Sequence, residues 1–143
     1  MEPFPQLWER RTAFDLGGVG RVDALSLPDL VGSKKTQRDK DWPMIRRLLE
    51  ASYAQGAHAP PPELIVFWLR ELRTPELLVA CAASFSEQAR RLAEQRPATA
   101  AAARGDLTAV RTALASEESR ERDLDRAYWA PLKAELEEMR PRE

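Results

Sequence analysis

Helix-start signals recur along the chain from Ser26 onward, and they constrain the fold more than any other feature of the sequence. Ser26 stands before Pro28 and Asp29, which is the order of an N-cap, a first-turn proline and an acidic third position. Thr74 and Asp106 precede two later apolar segments in the same way, and residues Ser84 to Glu87 are predicted to form a capping box for another helix. These signals predict that the chain is helical from there to its end.

Two short strands are predicted before these helices, on either side of a glycine-rich turn. Phe14 and Leu16 alternate with polar residues before the turn, and Val22 and Ala24 do so after it. A phosphate-binding loop would lead into a helix, whereas this turn leads into a second strand, so a hairpin is favoured. The glycines of the turn are Gly17, Gly18 and Gly20.

Apolar periodicity divides the remaining chain into helices that pack as a bundle. The segments predicted to be helical are residues 27–35, 41–55, 62–73, 75–83, 86–95, 98–104 and a region after Asp106. The predicted fold class is therefore mainly α, with an N-terminal β-hairpin of two short strands followed by a helical bundle of about six to seven helices.

The last two helical segments differ in composition from the others. Residues 98–104 are rich in alanine, which gives high helix propensity and little to bury, and Gly105 ends them. In the final region Glu117 and Glu121 interrupt the apolar stripe, and Pro131 is expected to kink or restart the helix. We therefore expect a helical pair or arm there rather than a long regular coiled coil.

Charge and cysteine content narrow the class of protein. The 143 residues carry 22 Lys and Arg against 23 Asp and Glu, so the net charge of −1 gives no bulk attraction to nucleic acid or anionic membranes. A single cysteine allows no internal disulfide and fits a reducing compartment. No apolar run approaches a membrane span, and residues 1–15 contain no apolar leader segment. We expect a cytoplasmic protein.

Asp39 and Asp41 form an Asp-x-Asp pair, a spacing that metal sites use on strands. Here the pair directly precedes Trp42 and a predicted helix, where acids cap the first turn and favour the helix dipole. Capping by Asp39 or Asp41 and ion pairing are therefore favoured over a metal site. Asp123 and Asp125 share the spacing, but within a helix they point about 200° apart and are interpreted as a solvated face.

A local basic cluster precedes the acidic pair. Lys34, Lys35 and Arg38 are candidates for contacting a nucleotide or another phosphate. The alternative, which is favoured, is a polar helix end whose cations pair with Asp39 and Asp41. The sequence therefore leaves a phosphate-binding role as a secondary hypothesis.

Nucleophilic catalysis has little support in the sequence. The single histidine, His58, lies in a Pro-rich linker, and a catalytic triad or a Cys–His pair would need it in a defined position. Cys81 lies in an apolar helical segment, where a cysteine is usually a small buried residue. No catalytic nucleophile is predicted.

The run RVDALSLPDLVGSKKTQRDKDWPMIRRLLE, residues 21–50, resembles a segment of bacterial nucleotidyltransferase-like proteins of the DNA polymerase β-like superfamily. In that group a strand leads to Leu-Ser-x-x-Asp-Leu, a short helix, a Lys, an Arg and an Asp, and then a longer helix. The matching positions are Leu25, Ser26, Asp29, Leu30, Lys34 or Lys35, Arg38 and Asp41. The resemblance covers about residues 7–52.

The resemblance also implies where the chain departs from the family. The family active site needs a Gly-Ser or Gly-Gly turn that leads into a helix and then a strand bearing Asp-x-Asp, and the residues before Arg21 do not hold that arrangement, since their glycines lead into a strand. Asp23, or with less support Asp15, matches a third strand-borne carboxylate, which alone cannot place two metals. Magnesium is expected only if the family activity is retained. The resemblance implies a nucleotidyltransferase-like remnant at residues 1–56 and a helical region at 57–143.

Three functions are compatible with the sequence. The first is a nucleotidyltransferase-related protein that is inactive alone and acts by protein–protein association, as a homo-oligomer or with a protein partner. The second is a helical partner in a two-gene system. The third is a nucleotide or nucleic-acid binder that uses the basic cluster with Arg46.

Overall fold

The computed structural model describes residues 3–140, which belong to two compact units, one ending at Lys34 and the other beginning at Lys35. The first unit contains α1 (Phe4–Glu9), β1 (Thr12–Asp15), β2 (Arg21–Ala24) and α2 (Leu27–Lys34). The second contains α3 (Asp41–Gly56), α4 (Pro62–Glu71), α5 (Pro75–Ser84), α6 (Ser86–Ala93), α7 (Pro97–Ala103) and α8 (Leu107–Glu138). The predicted fold class, mainly α with an N-terminal hairpin, is confirmed.

The predicted β-hairpin is present in the first unit. Strands β1 and β2 are antiparallel, with Phe14 opposite Val22, and the backbone N–H of Leu16 donates to the Gly20 carbonyl at 3.0 Å. Gly17 has φ 61° and Gly20 has φ 97°, values that only glycine adopts without strain. Gly17 and Gly20 therefore supply the positive φ that a hairpin turn needs, whereas Gly18 does not.

Helix α1 is not predicted by the sequence, because six residues are too few to show a helical period. Its aromatic residues Phe4 and Trp8 lie one turn apart, with ring centroids separated by 5.8 Å. The guanidinium of Arg11 lies over the Trp8 ring, 4.1 Å from its centroid. Ring and cation contacts therefore support a short helix whose residues are not buried.

Ser26 caps α2 as the sequence predicts. The backbone N–H of Asp29 donates to Ser26 Oγ at 3.3 Å, and Ser26 Oγ donates to an Asp29 carboxylate oxygen at 2.6 Å. Arg10 Nη2 donates to the other carboxylate oxygen at 2.8 Å. The bonds from Arg10 and from Ser26 hold the pKa of Asp29 below its ordinary value, because both stabilise the charged form.

Two predicted helix caps are wrong. Lys40 occupies the N-cap position of α3 without a side-chain capping bond, so neither Asp39 nor Asp41 caps that helix. The Ser84–Glu87 segment does not form a capping box, because Phe85 is the N-cap of α6. The backbone N–H of Phe85 donates to Cys81 at the end of α5, and its carbonyl accepts from Ala89, so the two helices join without a cap.

Helix α7 lies in the core of the second unit, although its alanine-rich sequence predicted little to bury. Ala98, Ala101 and Ala102 are buried, and so is Thr99, whose hydroxyl donates to the Leu69 carbonyl at 2.5 Å. Small side chains let neighbouring helix backbones approach closely, and α5, α6 and α8 all pack on α7. The expectation was wrong because it equated small side chains with an exposed surface.

Helix α8 is one helix of 32 residues that continues through Pro131. Asp106 caps it as predicted, accepting from the backbone N–H of Ala109 at 3.0 Å.

Of the apolar residues of α8, only Val110 and Leu114 are buried. The exposed large apolar residues further along are Leu124, Tyr128, Trp129, Leu132, Leu136 and Met139. The helix does not restart at Pro131, because exposed carbonyls nearby can bond to water. Within the described residues, no helix has both the length and the apolar character to cross a bilayer.

A glycine in the second unit allows a close contact that a methyl group would disturb. A Cβ built on Gly56, the last residue of α3, would lie 3.0 Å from the ring of Trp68. Trp68 is fully buried, and its indole N–H donates to Ser52 Oγ at 3.0 Å, so the ring cannot move freely. We expect Gly56→Ala to lower the free energy of unfolding by about 1–3 kcal/mol, measured by urea denaturation.

Gly32→Ala is the matched control, since a Cβ on this α2 residue meets nothing within 4 Å. That variant should be neutral or gain about 0.5–1 kcal/mol from higher helix propensity. Equal stability changes in both variants would contradict the packing described around Trp68.

Candidate functional site

Asp41 organises the segment that enters α3. Its carboxylate is buried, with 2% of the residue exposed, and Oδ2 accepts from Thr36 Oγ1 at 2.6 Å and from Arg38 Nε at 2.9 Å. The indole N–H of Trp42 donates to the Thr36 carbonyl at 2.8 Å. Buried carboxylates need such partners, and here they come from the same short segment. Asp41 therefore fixes the path of the chain before α3.

Asp39 belongs to a different network. Its side chain is 96% exposed, and Oδ1 lies 2.5 Å from Arg122 Nη1 on α8. Arg122 also donates to Glu118 at 2.7 Å and to the Gln37 carbonyl at 3.2 Å. The hydrogen bonds from Asp39 and then Glu118 raise the pKa of the Arg122 guanidinium. Asp39 and Arg122 therefore connect the segment before α3 to α8.

The acidic pair named by the sequence is thus divided between two sets of cations. Asp41 pairs with Arg38, whereas Asp39 pairs with Arg122. In residues 3–140, no three side chains of His, Cys, Asp or Glu are grouped so that they could hold a metal ion. Ion pairing, one of the two roles that the sequence favours for this pair, is present at both residues, whereas capping is present at neither.

Two of the three basic candidates, Lys35 and Arg38, are bound to carboxylates. Lys35 Nζ lies 2.8 Å from Glu71 Oε2 at the end of α4, and Arg38 pairs with Asp41. Lys34 ends α2 in the first unit. Lys35 and Arg38 therefore serve separate carboxylates and are not gathered around one open position.

The weak catalytic candidate Asp23 lies on the hairpin. Its Oδ1 lies 3.1 Å from Arg11 Nε in an ion pair, and each of the two side chains is 30% exposed. Asp15, at the end of β1, accepts from the backbone N–H of Gly17 at 2.9 Å. Each described strand thus carries one carboxylate, and each carboxylate has a structural partner.

Cys81 is unsuited to nucleophilic chemistry in this structure. It is fully buried in α5, and burial raises the pKa of its thiol to about 12. The reactive form of cysteine is the thiolate, so this residue stays protonated at neutral pH. The predicted role as a small buried residue is consistent with that environment.

A buried ion cluster in the second unit was not predicted. Glu117 of α8 accepts from Arg73 Nη2 at 3.2 Å through one oxygen and from Arg96 Nε at 3.1 Å through the other. Arg96 also donates to the carbonyls of Leu69 and Leu72, at 2.9 Å and 3.0 Å. One carboxylate and two guanidinium groups therefore join α8 to the chain after α4 and before α7.

The cluster carries more positive than negative charge. Burial lowers the pKa of Arg96, although the nearby carboxylate of Glu117 opposes that shift. Arg73 is also buried, and its Nε and Nη1 have no hydrogen-bond partner within the described residues. The ring of Trp42, 4.9 Å from the Arg73 guanidinium, supplies a cation–π contact. The sequence marks Glu117 as unusual, because an acid interrupts an apolar stripe there, but it does not identify the two arginine partners.

A cleft of about 580 Å³ opens beside this cluster, between the end of α4, the α6–α7 connection and α8. Its charged and polar lining residues are Lys35, Arg70, Glu71, Gln95, Arg96, Ser116, Glu117 and Arg120. Its apolar lining consists of Leu92, Pro97, Ala98 and Ala113. Cavities of this size accommodate small organic ligands.

Comparison with protein-family models, curated proteins and solved structures found no match to this chain. The resemblance of residues 7–52 to nucleotidyltransferase-like proteins therefore stays a prediction. The same holds for the domain division predicted at residue 56, which rests on that resemblance.

Loss of Arg96 should strongly destabilise the second unit. Arg96→Met removes the bonds to Glu117 and to the carbonyls of Leu69 and Leu72 while keeping an apolar stem. Arg73 still pairs with Glu117 in this variant, but the carbonyls of Leu69 and Leu72 and one Glu117 oxygen each lose a donor inside the protein. Loss of donors to buried acceptors is costly, so we expect a loss of about 3 kcal/mol in unfolding free energy. Urea denaturation followed by far-UV circular dichroism measures this change.

Arg91→Met is the matched control, because Arg91 forms an exposed ion pair with Glu87 on α6. That change should cost no more than about 0.5 kcal/mol. Similar losses in both variants would show that the buried cluster adds nothing beyond a surface ion pair.

Proposed function

We propose that this protein is a nucleotidyltransferase-related protein that functions by protein–protein association, and that the β-hairpin is its contact surface. The observation that carries the proposal is an amphipathic two-stranded sheet whose apolar face is exposed and whose β2 edge is unpaired within the described residues. A two-stranded hairpin is marginally stable in water unless further strands or a covering element are added. Association would supply that missing support.

The two faces of the hairpin differ in polarity. Phe14 and Val22 are cross-strand partners on one face, and they are 51% and 44% exposed. The other face carries the pairs Ala13–Asp23 and Asp15–Arg21. Alternation of this kind is typical of a sheet with one buried face, yet the apolar side remains exposed.

The outer edge of β2 has backbone groups available for another strand. Hydrogen-bonded and non-hydrogen-bonded residue pairs alternate along an antiparallel ladder. Because Leu16 bonds to Gly20, the next bonded pair is Phe14–Val22, so the N–H and C=O groups of Arg21 and Asp23 face outward. No further strand pairs with this edge in residues 3–140. Unpaired edges of this kind readily accept a strand from another chain.

Charge complementarity favours a second copy of this chain as the occupant. If two β2 strands pair antiparallel about a twofold axis through Val22, each Arg21 lies opposite Asp23 of the partner subunit. Opposite charges on facing strands stabilise a pair, and the two Val22 side chains meet on the apolar face. The product is a four-stranded sheet with one continuous apolar face.

The family relationship enters the proposal through residues 21–50, whose order of Leu25, Ser26, Asp29, Arg38 and Asp41 supports it. The described residues give Asp29 and Asp41 structural roles, as partners of Ser26 and Arg38. A cytoplasmic, bacterial setting belongs to the same proposal, and the presence of a single, buried cysteine, Cys81, supports the reducing compartment.

Charge exchange tests the proposed pairing. Arg21→Glu alone places two acids opposite each other and should weaken the dimer by about tenfold or more, measured by sedimentation. Arg21→Glu combined with Asp23→Arg restores the opposite charges and should restore the dimer. A wild-type chain that stays monomeric at all concentrations would overturn the assignment of a second copy.

Disulfide trapping tests the register directly. Val22→Cys places two thiols at a non-hydrogen-bonded pair on the axis, where facing Cα atoms lie about 4.5 Å apart and a disulfide fits. Oxidised glutathione should therefore yield a covalent dimer, while buried Cys81 does not compete.

Val19→Cys is the control for trapping, since Val19 is 82% exposed at the hairpin turn, away from the axis. It should crosslink much more slowly. Equal crosslinking of both variants, or none, would contradict the proposed register.

A further inference from the structure

The cleft in the second unit has an excess of positive charge on its walls. Lys35, Arg70, Arg96 and Arg120 contribute four cations, against two carboxylates from Glu71 and Glu117. The full chain is close to neutral, so this local excess is not a consequence of composition. Such a concave site focuses an electrostatic potential that attracts anions.

The acidic residues of the cleft are already neutralised. Glu71 pairs with Lys35 at 2.8 Å, and Glu117 pairs with Arg96 at 3.1 Å and with Arg73 at 3.2 Å. Arg73 adds a further buried cation behind Glu117, with two nitrogen atoms lacking hydrogen-bond partners. An incoming anion therefore meets ion pairs and surplus guanidinium charge rather than free carboxylates.

Arg70 and Arg120, which line the cleft, are not paired with a carboxylate in residues 3–140. Arg70 donates to the neutral side chain of Gln95 at 3.1 Å, and its partners within the described residues include no acid. Arg120 forms no ion pair or hydrogen bond there, and Ser116 lies one turn before it on α8. Two guanidinium groups and a hydroxyl thus remain available to a ligand.

We infer that this cleft binds a small molecule bearing a phosphate or diphosphate group, with Arg70 and Arg120 as its recognition residues. Guanidinium groups donate paired hydrogen bonds that match the oxygen atoms of phosphate. A dianion also matches the surplus of two positive charges on the lining residues. The volume of about 580 Å³ leaves room for an organic group beside the phosphate.

The apolar wall limits what that organic group can be. Leu92, Pro97, Ala98 and Ala113 provide aliphatic contacts, and the lining contains no aromatic ring. Stacking of a nucleobase on an aromatic side chain is therefore not available in the cleft. Recognition rests on the phosphate end of the ligand.

Isothermal titration of the full chain with pyrophosphate tests this inference at constant ionic strength. We expect saturable binding that Arg70→Gln or Arg120→Gln weakens by about tenfold each, since each loses a charge-assisted contact. Arg104→Gln is the control, because it removes the same charge from an exposed residue outside the cleft lining. It should leave the affinity within about twofold.

Three results would overturn the assignment. If pyrophosphate does not bind, the cleft is not a phosphate site. If Arg70→Gln, Arg120→Gln and Arg104→Gln weaken binding equally, the binding reflects only the overall charge of the protein. Citrate binding as tightly as pyrophosphate would contradict specificity for phosphate. Urea denaturation of Arg70→Gln and Arg120→Gln, which should match the wild type, ensures that lost binding does not reflect unfolding.

Discussion

The shared ion cluster of Arg73, Glu117 and Arg96 is the interaction on which the second unit depends. It joins residues separated by 44 and 21 positions, and Arg96 also satisfies the carbonyls of Leu69 and Leu72 at the end of α4. A helix end buried without partners would carry unsatisfied backbone groups. The cluster therefore fixes where α4 ends, where α7 begins and how α8 lies across both.

The apolar packing of α7 complements this cluster. Ala98, Ala101 and Ala102 allow close helix contacts, while Thr99 donates to the same Leu69 carbonyl that Arg96 binds. Hydrogen bonds and close packing by small side chains therefore both hold α7 in place. Because Arg96 and Glu117 pair with each other, the surplus positive charge of the neighbouring cleft comes from Arg70 and Arg120, and this surplus underlies the inferred affinity for phosphate.

Local signals predicted most of the fold. Alternation around Gly17 and Gly20 identified the hairpin, and capping residues such as Ser26 and Asp106 located helix starts, because their partners lie within a few residues. Long-range pairing could not be predicted in the same way. The partners of Glu117 lie far away in sequence, so it was interpreted only as an interruption of a stripe. For the same reason, the link between Lys35 and Glu71, 36 residues apart, was not foreseen.

The hairpin differs from the packed second unit, since its apolar face and the β2 edge remain open in the described chain. The central claim is that a second copy pairs with this edge. Hydrogen exchange of the Arg21 and Asp23 backbone amides, measured across protein concentration, tests it most directly. We predict slow exchange at high concentration and fast exchange on dilution. Fast exchange of both amides at every concentration would contradict the proposed association.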